Sequence, residues 1–463
     1  MSNLSMSGPL HHALMQAGVP VRLRLMRQIR RRRHWDPARI AAYQDAKLAQ
    51  LVAYCWSFVP YYRRKWQGHI ASPDEVSRVA DLSRLPVLSK DELRDNLDAL
   101  TTTARFVRSA PARTGGSTGQ PTLFRMTRPD EELAWAQMYT AWSWAGWRVG
   151  EPFLAVGGQS IGVGVGDNRT WKDWIINRWT TSGSNLTAER TKHLASLPHF
   201  HEVRLIYGYP SAIRELADLL RTIGDRPRKL AGVVCTAEVM RPEVREEIST
   251  LLGGIPVHDQ YGLNDGGLFA AEGPDRDGLH LFFSRGILEV VDDDGAQITE
   301  VGRSGRAIAT CLTNLATPFV RYETGDNIHW HSTEPAPSGI AWPRIGPVDG
   351  RTGDVIQLPS DRRIAMPGLT LVMRWLDGLK QYQFIQSGPR TVTARLDRGP
   401  GFRATEAEVL QYLREKISAE IDWRIVWGSP ELTANQKVLI IRNDYLRAQG
   451  GDRSAGEPGA RLG

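Results

Sequence analysis

Cysteine is scarce: Cys55, Cys235 and Cys311 are the three in 463 residues, far apart and without CxxC or Cys/His spacing. That pattern argues against a disulfide framework or a zinc site legible in sequence. Runs of about 18 apolar residues are missing, so no membrane span is expected. Met1 to Pro20 lacks the charged segment and clean apolar core of a signal peptide. These absences predict a soluble, cytoplasmic protein in a reducing compartment. No internal repeat is visible, which excludes a solenoid or propeller.

Hydrophobic residues make up 41% and charged residues 24% of the chain, enough for a sizeable core. At about 100 to 200 residues per domain, the length predicts two to four folding units. Lys and Arg exceed Asp and Glu by 58 to 51, a formal charge of +7. This mild excess suits an anionic ligand without requiring nucleic acid. Seven arginines crowd into Arg22 to Arg33. No aromatic platform or nucleic-acid module accompanies them, so they read as the solvated face of a helix, and no nucleic-acid partner is expected. Ile40, Tyr43, Leu48, Leu51 and Cys55 then mark an amphipathic helix over 37–56.

From about 150 to 330, short apolar runs alternate with helical patterns. Pro152 to Val156, Val203 to Tyr207, Leu230 to Cys235 and Ile255 to Val257 read as buried strands; Ile213, Leu216, Leu220 and Ile223 line one helix, and Pro242 to Leu252 form another. The alternation predicts an α/β layer with a largely parallel sheet. Leu288 to Val291, a turn at Asp293-Asp294-Gly295, and Gly305 to Leu312 add a β subdomain. Beyond 350, a hairpin (Val355 to Leu358, Arg363 to Ala365) comes first. Strands at Gln381 to Gln386, Val392 to Leu396 and Val438 to Ile441 follow, with a helix lined by Val409, Leu410, Leu413, Ile417 and Ile421. The expected organisation is a basic segment 1–36, a large α/β body 37–350, a small α+β domain 351–445 and a disordered tail 446–463.

Four stretches carry chemistry. Thr114-Gly115-Gly116-Ser117-Thr118-Gly119 combines flexible backbone with hydroxyl donors, the ingredients of a polyphosphate cradle, though without the lysine of a Walker A loop. Tyr261-Gly262-Leu263-Asn264-Asp265 follows a strand, where α/β sheets gather ligands. There Tyr261 can stack on a base and Asp265 can hold a divalent cation. In Arg321-Tyr322-Glu323-Thr324-Gly325-Asp326 and in Gly350-Arg351-Thr352-Gly353-Asp354, a carboxylate can accept ribose hydroxyls and an arginine can reach hydroxyl or phosphate. Each of these stretches can also be an ordinary turn or loop.

In this order, and with a small terminal domain carrying Lys437, the stretches resemble the adenylate-forming superfamily of acyl-CoA synthetases and adenylation domains. The likeness is to its phenylacetate-CoA ligase and CapK-like branch and covers about residues 40 to 442. Asn314-Leu315-Ala316-Thr317-Pro318 and Gln381-Tyr382-Gln383-Phe384-Ile385-Gln386 add to it. The resemblance implies ATP-dependent activation of a small carboxylic acid as its acyl-adenylate. The acyl group then passes to an acceptor, with CoA as the default and a carrier-protein thiol or small amine as alternatives. It further implies that Thr114 to Gly119 hold the ATP phosphates, Tyr261 lies against adenine beside Gly262 and Asn264, and Asp265 stands at the usual Mg2+-binding glutamate. Asp326 and Arg351 would serve the ribose, Asp354 would sit at the hinge of the mobile domain, and Lys437 would bridge carboxylate and α-phosphate.

Tyr207-Gly208-Tyr209-Pro210-Ser211 and Cys235-Thr236-Ala237-Glu238 fall where relatives build the acid pocket; either stretch can equally be a core-facing turn. Trp135, Tyr139 and Trp142 form a stripe at helical spacing that reads as core before pocket, and His201 reads as structural. The pattern also departs from the family. Gly115 replaces the usual Ser, Asn264-Asp265 the usual Thr-Glu, and Gln436 the Gly often found before the lysine. These departures keep open a degenerate relative that binds nucleotide without turnover. Ala270-Ala271-Glu272 stands where some relatives carry cysteine, so His280 has no cysteine partner and no zinc is expected.

Overall fold

The computed structural model describes residues 20–113, 123–158, 161, 163, 170–183, 186–348, 350–351, 355–360, 363–365, 369, 373, 376–432, 438–446 and 448. These fall into two compact units: 20–324 with 328–348, and 325–327 with the described residues from 350 onward.

In the larger unit the helix Pro37–Phe58 starts where sequence chemistry says it should. The Asp36 carboxylate accepts from the Arg39 amide at 2.8 Å and Pro37 fills the first turn. Leu48, Leu51, Val52 and Cys55 recur at helical spacing and bury one face against Tyr62, Trp66 and Phe319. The helix Pro20–Arg31 corrects the expectation of a wholly solvated basic face. Met26 and Ile29 are buried, and Arg22 with them. Arg22 Nε donates to Glu132 at 3.0 Å, and its guanidinium lies 5.1 Å from the Trp135 ring and 5.3 Å from that of Tyr139. Arg24, Arg27, Arg30 and Arg31 stay exposed.

A short hairpin, β1 (Ser109–Arg113) with β2 (Leu123–Thr127), precedes the central helix Arg128–Trp144. The sheet core is parallel. It comprises β3 (Phe153–Gly157), β4 (Arg178–Ser182), β5 (Leu205–Gly208), β6 (Gly232–Thr236) and β7 (Val257–Gly262), in the spatial order β4-β3-β5-β6-β7. Helices Pro210–Ile223 and Pro242–Leu251 form the crossovers, and Ile213, Leu216 and Leu220 pack with Leu154, Ile206 and Val233. After β7 the sheet turns antiparallel through β8 (Phe269–Glu272) and β9 (Leu279–Leu281). The chain then forms β10 (Gly286–Val291), β11 (Ser304–Cys311), β12 (Tyr322–Ser332) and β13 (Arg344–Ile345), and the sheet runs from β9 to β13, β12, β11 and, at its edge, β10. Among these, β10 and β11 pair antiparallel across the turn expected at Asp293 to Gly295.

In the smaller unit, β14 (Gly350–Arg351) precedes the hairpin β15 (Val355–Gln357) with β16 (Arg363–Ala365). A four-stranded sheet has the order β19-β18-β17-β20, from β17 (Leu379–Gln386), β18 (Thr391–Arg398), β19 (Asp422–Trp427) and β20 (Ile441–Asn443). The helix Glu406–Lys416, boxed by Thr405 and Glu408, buries Val409 and Leu413. It ends sooner than the apolar spacing predicts: Ile417 caps it at φ −109°, and Ile421 is buried just ahead of β19. Helical spacing here continues across a chain reversal. Together the units form the expected α/β body with a β subdomain and a separate α+β module.

Candidate active site

The acid-pocket candidates meet at the carboxyl ends of β5 and β6. Gly208 ends β5 so close to β3 that a Cβ there would stand 1.8 Å from the Val156 carbonyl oxygen; only glycine fits. Pro210 opens the following helix, and Tyr209 turns into the core beside Ile213. Beyond β6, Ala237 adopts a left-handed φ of 69° and presents Glu238. Glu238 accepts from the Ser211 amide at 3.1 Å and from its hydroxyl at 2.9 Å, tying the two loops together. Ser211, the last residue of the first acid-pocket stretch, makes the tie.

Tyr207 serves the core rather than an open pocket wall. Its hydroxyl bonds to Thr236 and Gln260, its ring lies 4.8 Å from that of Trp142, and burial pushes its ionisation far above the usual range. Trp142 Nε1 in turn donates to Gln260 at 3.3 Å. Trp135, Tyr139 and Trp142 pack with Trp147 and Phe153, as a core stripe should. His201 touches the Arg226 carbonyl at 3.3 Å and Asp225 at 3.7 Å, a local tie within the outer turns.

At the end of β7 the second motif takes shape. The strand starts later than the apolar run suggests and extends through Tyr261 and Gly262, because Gln260, Tyr261 and Gly262 pair with Ala271, Ala270 and Phe269 of β8. The Leu263 amide closes the loop on the Leu268 carbonyl at 2.9 Å. Asn264 is exposed, while Tyr261 and Asp265 are half-buried. Tyr322 donates its hydroxyl to Asp265 at 3.2 Å. Gly266 and Gly267 have φ of 96° and 73°, and a Cβ at Gly267 would fall 2.5 Å from Cys311 Sγ. A single half-exposed carboxylate suits Mg2+, which keeps most of its waters and leans on substrate phosphates. Among the described residues no cluster of three or more His, Cys, Asp or Glu could hold a metal unaided.

On β12, Tyr322, Thr324 and Asp326 alternate onto one buried face. The backbone of Asp326 pairs with that of Arg351 in β14, so the third and fourth motifs share a two-residue ladder. Arg321, which sequence logic offered to a ligand, is spoken for. It sits at φ 50°, forks onto Glu289 at 3.1 Å and donates to the Leu85 carbonyl at 2.6 Å. Thr114, Gly115, Gly116, Ser117, Thr118, Gly119, Asp354, Lys437 and the side chain of Arg351 lie outside the described residues.

No family model matches the chain. Phenylacetate-coenzyme A ligase of Thermus thermophilus is 27% identical over 325 residues, 69% of this chain and 72% of that protein. Protein CapK of Staphylococcus aureus is 24% identical over 317 residues, 67% of this chain and 68% of CapK. The chain is similar to phenylacetate-coenzyme A ligases and to CapK. Among solved structures, 2-hydroxyisobutyryl-CoA ligase in its postadenylation state superposes with a TM-score of 0.71 at 19% identity, covering 92% of this chain and 94% of that one. An ATP-bound RpMatB-BxBclM chimera gives 0.52 at 14% identity, covering 74% and 68%. These superpositions show that the chain shares the fold of 2-hydroxyisobutyryl-CoA ligase.

Proposed function

We propose that this chain uses ATP and Mg2+ to activate a small carboxylic acid as its acyl-adenylate and then transfers the acyl group to the thiol of coenzyme A. The observation that carries this reading is the grouping at the carboxyl ends of three neighbouring strands. There the loops tied by Ser211 and Glu238 adjoin the strand that delivers Tyr261 and Asp265. Relatives named for CoA ligation, and a neighbouring structure described with acyl-AMP bound, supply the chemistry that such a cleft would perform.

In the first step a carboxylate oxygen attacks the α-phosphorus and the bond to pyrophosphate breaks; in the second the thiol attacks the acyl carbonyl and AMP leaves. Catalysis is therefore alignment and relief of crowded negative charge. Tyr261 offers a flat face to the adenine, and Asp326 accepts from ribose hydroxyls with Arg351 beside it. The hydroxyls and amides of Thr114 to Gly119 receive the phosphates. Asp265 would hold Mg2+, whose charge would offset that of the phosphate oxygens. Lys437 supplies the cation between carboxylate and α-phosphate and withdraws with its domain when the thiol enters.

Acid-dependent exchange of labelled pyrophosphate into ATP, run over a panel of aliphatic and aromatic acids, tests the first step. Release of AMP with CoA, carrier-protein thiols or amines offered in turn tests the second. A protein that binds ATP yet shows no exchange with any acid is the degenerate binder instead.

A further inference from the structure

A buried ion pair outside the proposed ligand contacts reaches the loop that carries Asn264 and Asp265. Asp130, in the first turn of the helix Arg128–Trp144, is 0% exposed, and Arg285, beside the start of β10, is 2% exposed. The pair is bidentate, Nε to Oδ1 at 3.0 Å and Nη2 to Oδ2 at 2.8 Å, and the Thr313 hydroxyl also donates to Asp130. The remaining guanidinium nitrogen, Nη1, points at the Leu263 carbonyl 3.4 Å away, inside the loop that carries Asn264 and Asp265. Asp130 closely follows β2, at the start of the central helix.

Taking two charges out of water gives back little net stability, and apolar replacement of such a pair is often neutral or stabilising. Stability therefore gives little reason for a fully buried pair at this place. Its geometry gives a better one: the planar fork fills Asp130 with one edge and reaches the loop backbone with the other, which a lysine's point charge cannot do.

We infer that Arg285, anchored by Asp130, is a positioning residue for ATP binding, holding the Leu263–Asp265 segment at the height the nucleotide requires. This rests on the nucleotide reading of the Tyr261–Asp265 loop proposed above. The test is the double variant Asp130→Leu/Arg285→Met, which removes both charges together and leaves no unpaired charge in the core. Calorimetric ATP·Mg2+ affinity, the KM for acid and the melting temperature are measured on the full chain. The expected result is a melting temperature within a few degrees of wild type, ATP binding weakened about tenfold and acid KM within about twofold, a split that a merely structural role would not produce. Arg285→Lys should weaken ATP binding likewise, and it alone decides the matter if the double variant does not fold. Wild-type ATP affinity in the folded variant, or equal loss of affinity for ATP and acid, overturns the inference. Failure of the unmutated protein to bind ATP overturns the functional reading instead.

Discussion

The hydroxyl of Tyr322 reaches the carboxylate of Asp265 at 3.2 Å, joining two motifs that lie 57 residues apart in the chain. The Tyr322 ring is fully buried and meets Phe319 edge-on with centroids 5.3 Å apart, so the donor is held in place. The Asp265 carboxylate is thereby oriented by a fixed phenol.

Asp265→Asn keeps a partner for Tyr322 but removes the charge. Pyrophosphate exchange at saturating acid should fall about 100-fold, with a raised Mg2+ requirement. Tyr322→Phe leaves the charge and should cost only about 1 kcal/mol of stability, with a several-fold rise in the Mg2+ needed for half-maximal rate. An Asp265→Asn protein with unchanged Mg2+ dependence would remove Asp265 from the metal site.

Lys437→Ala separates the two half-reactions. Adenylation should fall at least about 100-fold, while CoA thioester formation from supplied acyl-adenylate stays within a few-fold of wild type. Equal loss in both rates contradicts the role proposed for this lysine.

Gly208→Ala tests the packing under the acid loop. The new methyl would lie 1.8 Å from the Val156 carbonyl, forcing β3 and β5 apart, and urea unfolding should show a loss of about 3 kcal/mol. Gly254→Ala, at φ 81° with open space around it, should cost only about 1 to 2 kcal/mol. Similar losses at the two positions would mean that close strand approach is not what requires glycine at 208.

Stability should respond to pH through Asp259. Burial first, then the neighbouring Glu272 charge, lift this carboxyl to about 7, against the opposing pull of Arg245. The folded protein thus retains a proton that the unfolded chain releases near pH 3.9. Its contribution is complete below about pH 4 and is lost as pH rises through about 7. His258 and His280, held down to about 4 chiefly by burial, act in the opposite sense, their contribution fading as pH falls from about 6.5. Both histidines remain in Asp259→Asn, so the difference between the two proteins isolates the carboxyl. Between pH 5 and pH 8 the recovering histidine contributions should raise the stability of both proteins in urea unfolding, and wild type should gain less than the variant. Parallel slopes would assign the proton elsewhere.

Much of the fold is legible in local chemistry. The parallel strands at Phe153, Leu205 and Gly232 announce themselves as short apolar runs, and the helix Pro37–Phe58 by its cap and stripe. Tyr261 and Asp265 stand out because a strand leads into them. Periodicity misleads where the chain reverses, as at Ile417 and Ile421, since apolar spacing does not register a break in direction. The arginines mislead in a similar way. Composition cannot tell exposed Arg24 from Arg22 under Trp135, or a ligand-ready Arg321 from one locked to Glu289.

By itself the sequence determined the order of elements, the glycine-dependent turns and the likeness to phenylacetate-coenzyme A ligases and CapK, because these depend on neighbouring residues and on motif order. Tertiary structure alone decided which polar side chains are committed. Arg285 to Asp130, Ser211 to Glu238 and Tyr322 to Asp265 join positions 155, 27 and 57 residues apart. A buried charge or hydroxyl takes whichever partner the packed core brings within about 3 Å, and that distance is set by how sheet and helices close on one another.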